Sequence, residues 1–367
     1  MTVPDPLALL EQVVTRRPDP ASREQAALLE AELAAAHDVA YAVVVSSGTA
    51  ALHTALVAAG IGAGDEVLVS AIPVIMTVAA VVLAGARPVF VDTGPDGEPF
   101  DVADAASKIT SRTRAVLPVH LGGRSGDLQP VVDLAAHTGL HLIEDACQAH
   151  GSRYRGWLLG TLGSAGCFSL KDGKLLSCGE GGYLVTNDPD LAARARAFQS
   201  HWQTPAPGQP ALTRLGTNYR LAEPLAALAR LSLAGFDARL ARHRHGANRL
   251  VHLVGDVPGL TVIPAAPEEQ PNGYCAMWRI LLPRPRELSG RLAEAGVVNS
   301  VGSFGLRAAH QHVACRSLHP APCPNAAHAA DSLLAVPVSL PDSDSSLDDD
   351  GRLAWIADLI TTEVSAW

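Results

Sequence analysis

The stretch FSLKDGKLLSCGEGGYLV, Phe168 to Val185, holds two of the three lysines in a chain of 367 residues. Nearly every other positive charge is an arginine, which cannot lose its proton, whereas a lysine amine becomes a nucleophile once its surroundings depress its pKa. Ser169 closes the strand-like CFSL, and Lys174 follows on a tight Asp-Gly turn just before Gly-Glu-Gly-Gly. Lys171, two residues ahead of that turn's glycine, reads as solvent-facing.

Two further polar groups fall where apolar runs end. Asp145 closes LHLIE and Gln148 follows three residues later, so both side chains can reach one ligand just past a strand end. A carboxylate there can pair with a ring N–H⁺ and an amide can bond an adjacent oxygen; a helix N-cap explains the same residues. In SSGTAAL, Ser46 to Leu52, Gly48 and Thr49 stand where a strand turns into a helix. Unpaired N–H groups and the helix dipole favour an anion there, most naturally a phosphate, with an ordinary cap as the plainer alternative.

These residues need a frame that brings strand ends together. From Tyr41 short β-rich runs alternate with helical stretches: YAVVV, then Thr49 to Ala59; EVLV, then Val74 to Ala84; PVFV, then RAVLPVH, Leu128 to Thr138 and LHLIED. Such alternation predicts a mostly parallel α/β sheet with helices on both faces, whose ligands bind beyond the carboxyl ends of the strands. A long helix is expected from about Pro224 to Leu250, a loop over 306–331, a terminal helix from Leu353 to Ser365, and a solvated loop and helix cap over the acidic run Asp342 to Asp350. The change of character places a boundary near residue 240. It divides a large domain, 1–240 with an N-terminal helical segment, from a smaller one, 241–367.

Composition excludes several classes. With 48% hydrophobic and 18% charged residues the chain can bury an enzyme-sized core, and a net charge of −9 argues against a nucleic-acid partner. Six cysteines at 147, 167, 178, 275, 315 and 323 form no disulfide-like framework, which fits a reducing cytoplasm. Met1 to Glu11 contains Asp5 and Glu11 and lacks the pattern of a signal peptide. The uncharged run Val67 to Ala86 has the length of a membrane span, but Pro73 splits it and Gly85 with Pro88 closes it, so a buried strand and helix are expected instead. His310, His312, Cys315, His319, Cys323 and His328 are ligand types for zinc, but in a loop-like, histidine-rich region no metal is expected.

The series SSGTAAL, GDEVLVS, GARPVFVD, PVHLGG, IEDACQAHGS, FSLKDGKLLSCGEGGYLVTND and GTNYRLAE resembles, in order and spacing, the DegT/DnrJ/StrS family of pyridoxal-phosphate aminotransferases. The likeness runs from about Glu32 to Leu250 and is fainter at CPNAAHAADSLLAVPVSLP. It implies the type I aminotransferase fold, with a mostly parallel large domain, a smaller α+β C-terminal domain and a homodimer whose active sites lie at the subunit interface. It further implies Lys174 as the Schiff-base lysine, Asp145 as partner of the pyridine nitrogen and Gln148 beside the ring's phenolic oxygen. Gly48 and Thr49 match the phosphate-binding turn, Ser169 a phosphate-bonding hydroxyl, and Asn218 an asparagine that reaches the neighbouring subunit's phosphate.

The implied reaction moves an amino group from glutamate or glutamine to a keto-sugar, sugar nucleotide or cyclitol ketone, in secondary-metabolite biosynthesis. A pyridoxal-phosphate lyase or replacement enzyme would use the same Lys174 and Asp145, and a non-catalytic regulatory protein would bind the cofactor without turnover. Two positions depart from the family pattern. Val74 stands where an aromatic residue usually stacks on the cofactor ring, and Gly173 where Ser or Thr is common. Val74 would leave room for an atypical acceptor, with Trp157 and Tyr183 as the nearest replacement rings by sequence.

Overall fold

The computed structural model describes residues 9, 11, 15, 23–95, 97–338 and 349–367. The first half runs α1 (Glu24–His37), β1 (Tyr41–Val45), α2 (Gly48–Ala58), β2 (Glu66–Ser70), α3 (Ile75–Leu83), β3 (Arg87–Val91), α4 (Val102–Ser107), β4 (Thr113–Leu117), α5 (Gln129–Thr138) and β5 (His141–Asp145). A hairpin β6 (Arg153–Tyr154) and β7 (Trp157–Leu158) precedes β8 (Ala165–Ser169), β9 (Gly182–Thr186), α6 (Pro189–Gln199) and α7 (Glu223–Ala234). Then follow α8 (Phe236–Val254), β10 (Leu260–Val262), β11 (Glu269–Gln270), β12 (Cys275–Ile280), α9 (Pro285–Glu294), α10 (Pro324–Ser332), β13 (Leu333–Pro337) and α11 (Asp349–Ser365).

Seven strands form the main sheet in the order β1-β9-β8-β5-β4-β2-β3. Pairings from β8 through β5, β4 and β2 to β3 are parallel, and β9 runs antiparallel to both its neighbours. Successive strand residues point to opposite faces, and both faces are buried. Val43 and Val45 join α2, α3 and α6 in one core, whereas Ala42 and Val44 join α1, α5 and α7 in the other. The uncharged run Val67 to Ala86 accordingly resolves into the wholly buried β2 and the helix α3. Among the described residues no helix is long and apolar enough to cross a membrane.

A three-stranded antiparallel sheet, β10-β12-β13, packs with α8, α9 and α11 around a separate core that contains Trp278, Leu250, Leu292 and Ile360. Two carboxylates tie later segments of the chain to loops of the large sheet. Glu269 accepts from the N–H groups of Ser125, Gly126 and Ala266 and pairs with Arg124 at 3.1 Å. Asp92, just past β3, takes the N–H groups of Asn325 and Ala326 at 3.2 and 2.7 Å and so caps α10.

Two expectations change, and the mostly parallel sheet carries one antiparallel inner strand. The long helix expected over 224–250 is two helices that meet at Gly235, so the chain changes direction before α8 enters the second core. Residues 306–331 are not one loop: short 3-10 turns at Ala309–Gln311 and Val313–Leu318 lead into α10. The sheet's antiparallel β9 arises because β8 and β9 are joined by the short lysine-bearing connection instead of a crossover helix. The acidic run lies mostly in 339–348, outside the described residues, as does most of the N-terminal segment before residue 23.

Candidate active site

The carboxyl ends of β1, β5 and β8 lie on one side of the sheet, since β5 and β8 are parallel and β9 is antiparallel to both β8 and β1. At the end of β1, Ser47 caps α2 by accepting the Ala50 N–H at 3.0 Å. Gly48 and Thr49 open that helix, where the helix itself offers no acceptor for their N–H groups. A side chain at Gly48 would not fit: its Cβ would meet the Ser169 Cβ at 2.8 Å and the Cys147 Sγ at 2.9 Å. The glycine thus lets the end of β8 close against this helix terminus. Ser169 brings its hydroxyl there, where it accepts the Lys171 N–H at 3.3 Å.

Asp145 ends β5 and is 4% exposed. One oxygen, Oδ2, accepts from the buried Thr77 hydroxyl at 2.6 Å, and Oδ1 accepts the Cys147 N–H at 3.2 Å. Both partners are neutral, and among the described residues no arginine or lysine stands within salt-bridge distance, so the carboxylate suits a cationic group of a ligand. Gln148 is oriented by the Gly122 N–H, which donates to its Oε1 at 2.6 Å and leaves the Nε2 group as a donor. Glu144, one residue before Asp145, is fully buried; it binds His120 Nε2 at 2.9 Å and the N–H groups of Gly160, Leu162 and Gly163. That set holds the loop running from β7 into β8.

The three lysines have three different surroundings. Lys108 pairs with Asp104 at 2.6 Å and donates to the Phe90 carbonyl, and Lys171 is exposed. Lys174 is largely withdrawn from water and reaches the Tyr274 hydroxyl at 3.4 Å, with its Nζ 5.0 Å from that ring's centroid. Burial lowers the amine's pKa, and the neighbouring Cys147, Asp145 and Cys275 act in the opposite direction. The turn that presents Lys174 closes through its N–H on the Lys171 carbonyl at 3.2 Å. It needs a positive φ of 85° at Gly173, which a Ser or Thr would adopt only under strain.

The remaining sequence candidates are spread around this centre. Val74, half-buried, is the N-cap residue of α3, and its carbonyl accepts the Thr77 N–H at 2.8 Å, so both lie on the first turn. Asn218 is exposed and forms an isolated bridge with Ser200. Of the two replacement rings, Trp157 is 64% exposed on the hairpin, and Tyr183 is buried, stacked on Phe168 with centroids 4.7 Å apart. His310 and His312 accept backbone N–H groups, and among the described residues no three His, Cys, Asp or Glu side chains converge as metal ligands.

Sequence reasoning missed Thr77 and Tyr274. Thr77 had a signal, being one of two hydroxyl residues in the apolar run Val67 to Ala86, where a buried O–H must find an acceptor. Tyr274 follows Pro-Asn-Gly, which reads only as a turn.

The fold is that of a pyridoxal-phosphate-dependent aminotransferase. The model of the DegT/DnrJ/EryC1/StrS aminotransferase family matches residues 21–347, and the chain belongs to that family. It is 39% identical over 269 residues to a dTDP-3-amino-3,4,6-trideoxy-alpha-D-glucose transaminase of Streptomyces venezuelae, covering 73% of this chain and 70% of the relative. It is 37% identical over 258 residues to an L-glutamine:scyllo-inosose aminotransferase of Streptomyces griseus, covering 68% of this chain and 60% of the relative. Among solved structures, S. venezuelae DesV in complex with a ketimine intermediate superposes with a TM-score of 0.82 at 32% identity, covering 98% of this chain and 94% of that one.

The residues present fit pyridoxal phosphate. The capped α2 terminus with Ser169 suits its phosphate, the carboxylate of Asp145 with neutral partners suits its ring N–H⁺, and the Lys174 amine, largely withdrawn from water, lies within electrostatic reach of that carboxylate.

Proposed function

We propose that this aminotransferase takes an amino group from glutamate or glutamine and delivers it to the ketone of a sugar nucleotide or cyclitol, with Lys174 as the reacting amine. The observation that carries the reading is the contrast among the lysines: Lys108 is paired with Asp104 and Lys171 is exposed, whereas Lys174 is largely withdrawn from water, makes no salt bridge among the described residues and reaches the Tyr274 hydroxyl. When bound, pyridoxal phosphate supplies an electron sink for the substrate carbon.

The protein's own groups divide the remaining work. The first N–H groups of α2 and the Ser169 hydroxyl hold the phosphate. Asp145, fixed by Thr77 and the Cys147 N–H, keeps a proton on the ring nitrogen. Gln148, its Oε1 taken by Gly122, offers Nε2 to the neighbouring ring oxygen. The Lys174 amine takes the proton from the substrate carbon and returns it on the other side of the transfer, and burial keeps its neutral form within reach. Gly173 leaves the turn before the lysine free of a hydroxyl, and Val74 leaves the first turn of α3 without an aromatic ring.

Exposure of Asn218 supports a homodimer in which it completes the partner's phosphate site. The separate core around β12 supports a division near residue 240, and the unpaired cysteines support a reducing, cytoplasmic setting. Names of relatives support a place in secondary metabolism and both acceptor classes.

Mass spectrometry of keto-sugar nucleotides and keto-cyclitols incubated with the holoenzyme and ¹⁵N-labelled glutamine tests the reading. Label in one product amine, with the donor's keto acid released, is expected. Elimination or replacement products without labelled amine would show a lyase or replacement enzyme instead.

A further inference from the structure

We propose that Tyr274 is a positioning residue for the Lys174 amine, so that a segment leading into the C-terminal sheet completes the reaction centre. The inference rests on Lys174 as the reacting amine. Nζ lies 3.4 Å from the Tyr274 oxygen, a hydrogen bond at the long end of the range, and 5.0 Å from the ring centroid, within reach of a cation–π contact. A lysine stem turns freely about its carbon chain, and a free amine without a partner would spread over many rotamers. The phenol gives it one station, and the ring face offsets part of what burial takes from the ammonium form.

Tyr274 is itself set firmly. Its N–H donates to Asn272 Oδ1 at 2.9 Å, and the fully buried Asn272 sends Nδ2 to the carbonyls of Gln148 and His150 at 2.9 and 3.0 Å. The Asn272 N–H donates to Ser152 Oγ at 3.1 Å, and that hydroxyl donates to the Gly123 carbonyl at 2.7 Å. One side chain thereby ties the residue before Cys275, where β12 begins, to the turn that carries Asp145 and Gln148. Movement of that segment and placement of the amine are therefore mechanically joined. Burial raises the phenol's pKa, so Tyr274 stays neutral while the amine changes state. The other titratable groups around Nζ are Asp145 at the end of β5, Cys147 just after it, His150 beyond them, and Cys275, whose thiol burial pushes up to about 12.

Tyr274→Phe removes one oxygen and keeps the ring. The Lys174 titration is read in the cofactor-free protein by competitive acetylation against pH with peptide mapping, and the glutamine half-reaction is timed in the holoenzyme. Because Nζ donates to the phenol oxygen, losing that acceptor should lower the amine's apparent pKa by about half a unit or more. The half-reaction should slow about three- to tenfold at saturating glutamine with KM little changed. An unchanged or raised pKa overturns the proposal, and so does loss of thermal stability with an unaltered titration, which would mark Tyr274 as packing alone. Mapping of the borohydride-reduced holoenzyme separates this from the reading beneath it. Cofactor on Lys174 with an unaltered Tyr274→Phe titration sinks the positioning role only, whereas cofactor on another lysine sinks the assignment of Lys174.

Discussion

Thr77 donates a 2.6 Å hydrogen bond to Asp145 Oδ2 from the first turn of a helix that is otherwise apolar. It thereby sets the rotamer of the carboxylate in the family position for the pyridine nitrogen. Thr77→Val keeps the shape and deletes the donor, and leaving a buried acceptor short of a partner costs about 1–3 kcal/mol. Cofactor should be held more weakly and the half-reaction with glutamine should slow by about tenfold. Asp145→Asn should go further, retaining cofactor at high concentration while losing nearly all transamination. Equilibrium dialysis and stopped-flow absorbance read the two effects separately, and near-normal rates in Asp145→Asn would remove the carboxylate from the chemistry.

Lys174 gives a pH dependence whose sign can be worked out. Burial lowers its folded-state pKa below the ordinary lysine value, so the unfolded chain binds the proton more readily. In the cofactor-free protein the charged amine therefore weighs against folding at neutral pH, and that weight is lifted as pH rises through the lowered pKa toward 10.5. Cofactor-free Lys174→Met should be the more stable protein at pH 7, with the difference shrinking as the solution becomes alkaline. Urea denaturation at several pH values checks this, and a gap that widens with pH would contradict the burial account.

Exposure of Asn218, taken with its family position, makes a test by mixing subunits decisive. If the protein is the proposed homodimer, the Lys174→Ala and Asn218→Ala variants should each be inactive on their own. Exchanged heterodimers should recover part of the activity, because one of the two sites then has both residues. Mixtures that stay inactive while native mass spectrometry shows exchange would place Asn218 in its own subunit's chemistry or in none.

Val74 sits half-buried at the head of α3, one helical turn from Thr77. Val74→Phe would restore a ring face worth about 0.5–1.5 kcal/mol beyond area burial. Cofactor should dissociate more slowly. If the space beside valine receives the acceptor, the acceptor half-reaction should fail while the donor half-reaction survives. Unchanged cofactor retention and unchanged acceptor kinetics would mean that Val74 does not face the ring.

Much of this was legible because strand ends announce themselves. Apolar runs that stop at Asp145, at Ser169 and before Gly48 predicted both the parallel sheet and the side on which chemistry gathers. Length and helix content were legible too, but not the break at Gly235: Ala, Leu and Arg favour helix on both sides of it, and where the chain turns is set by which core each half covers. Contacts across long separations left no local trace. Thr77 meets Asp145 and Lys174 meets Tyr274 only because β2, β5, β8 and β12 are brought together, and no periodicity records such a meeting.

The central claim is that Lys174 carries the cofactor. Borohydride makes the linkage between cofactor and lysine permanent, and mass spectrometry of the digested, reduced holoenzyme locates it. The cofactor should be found on the peptide that contains Lys174, in near-stoichiometric amount and absent from Lys174→Ala. Recovery on Lys171 or Lys108, or no linkage at all in protein that holds cofactor, would contradict the account.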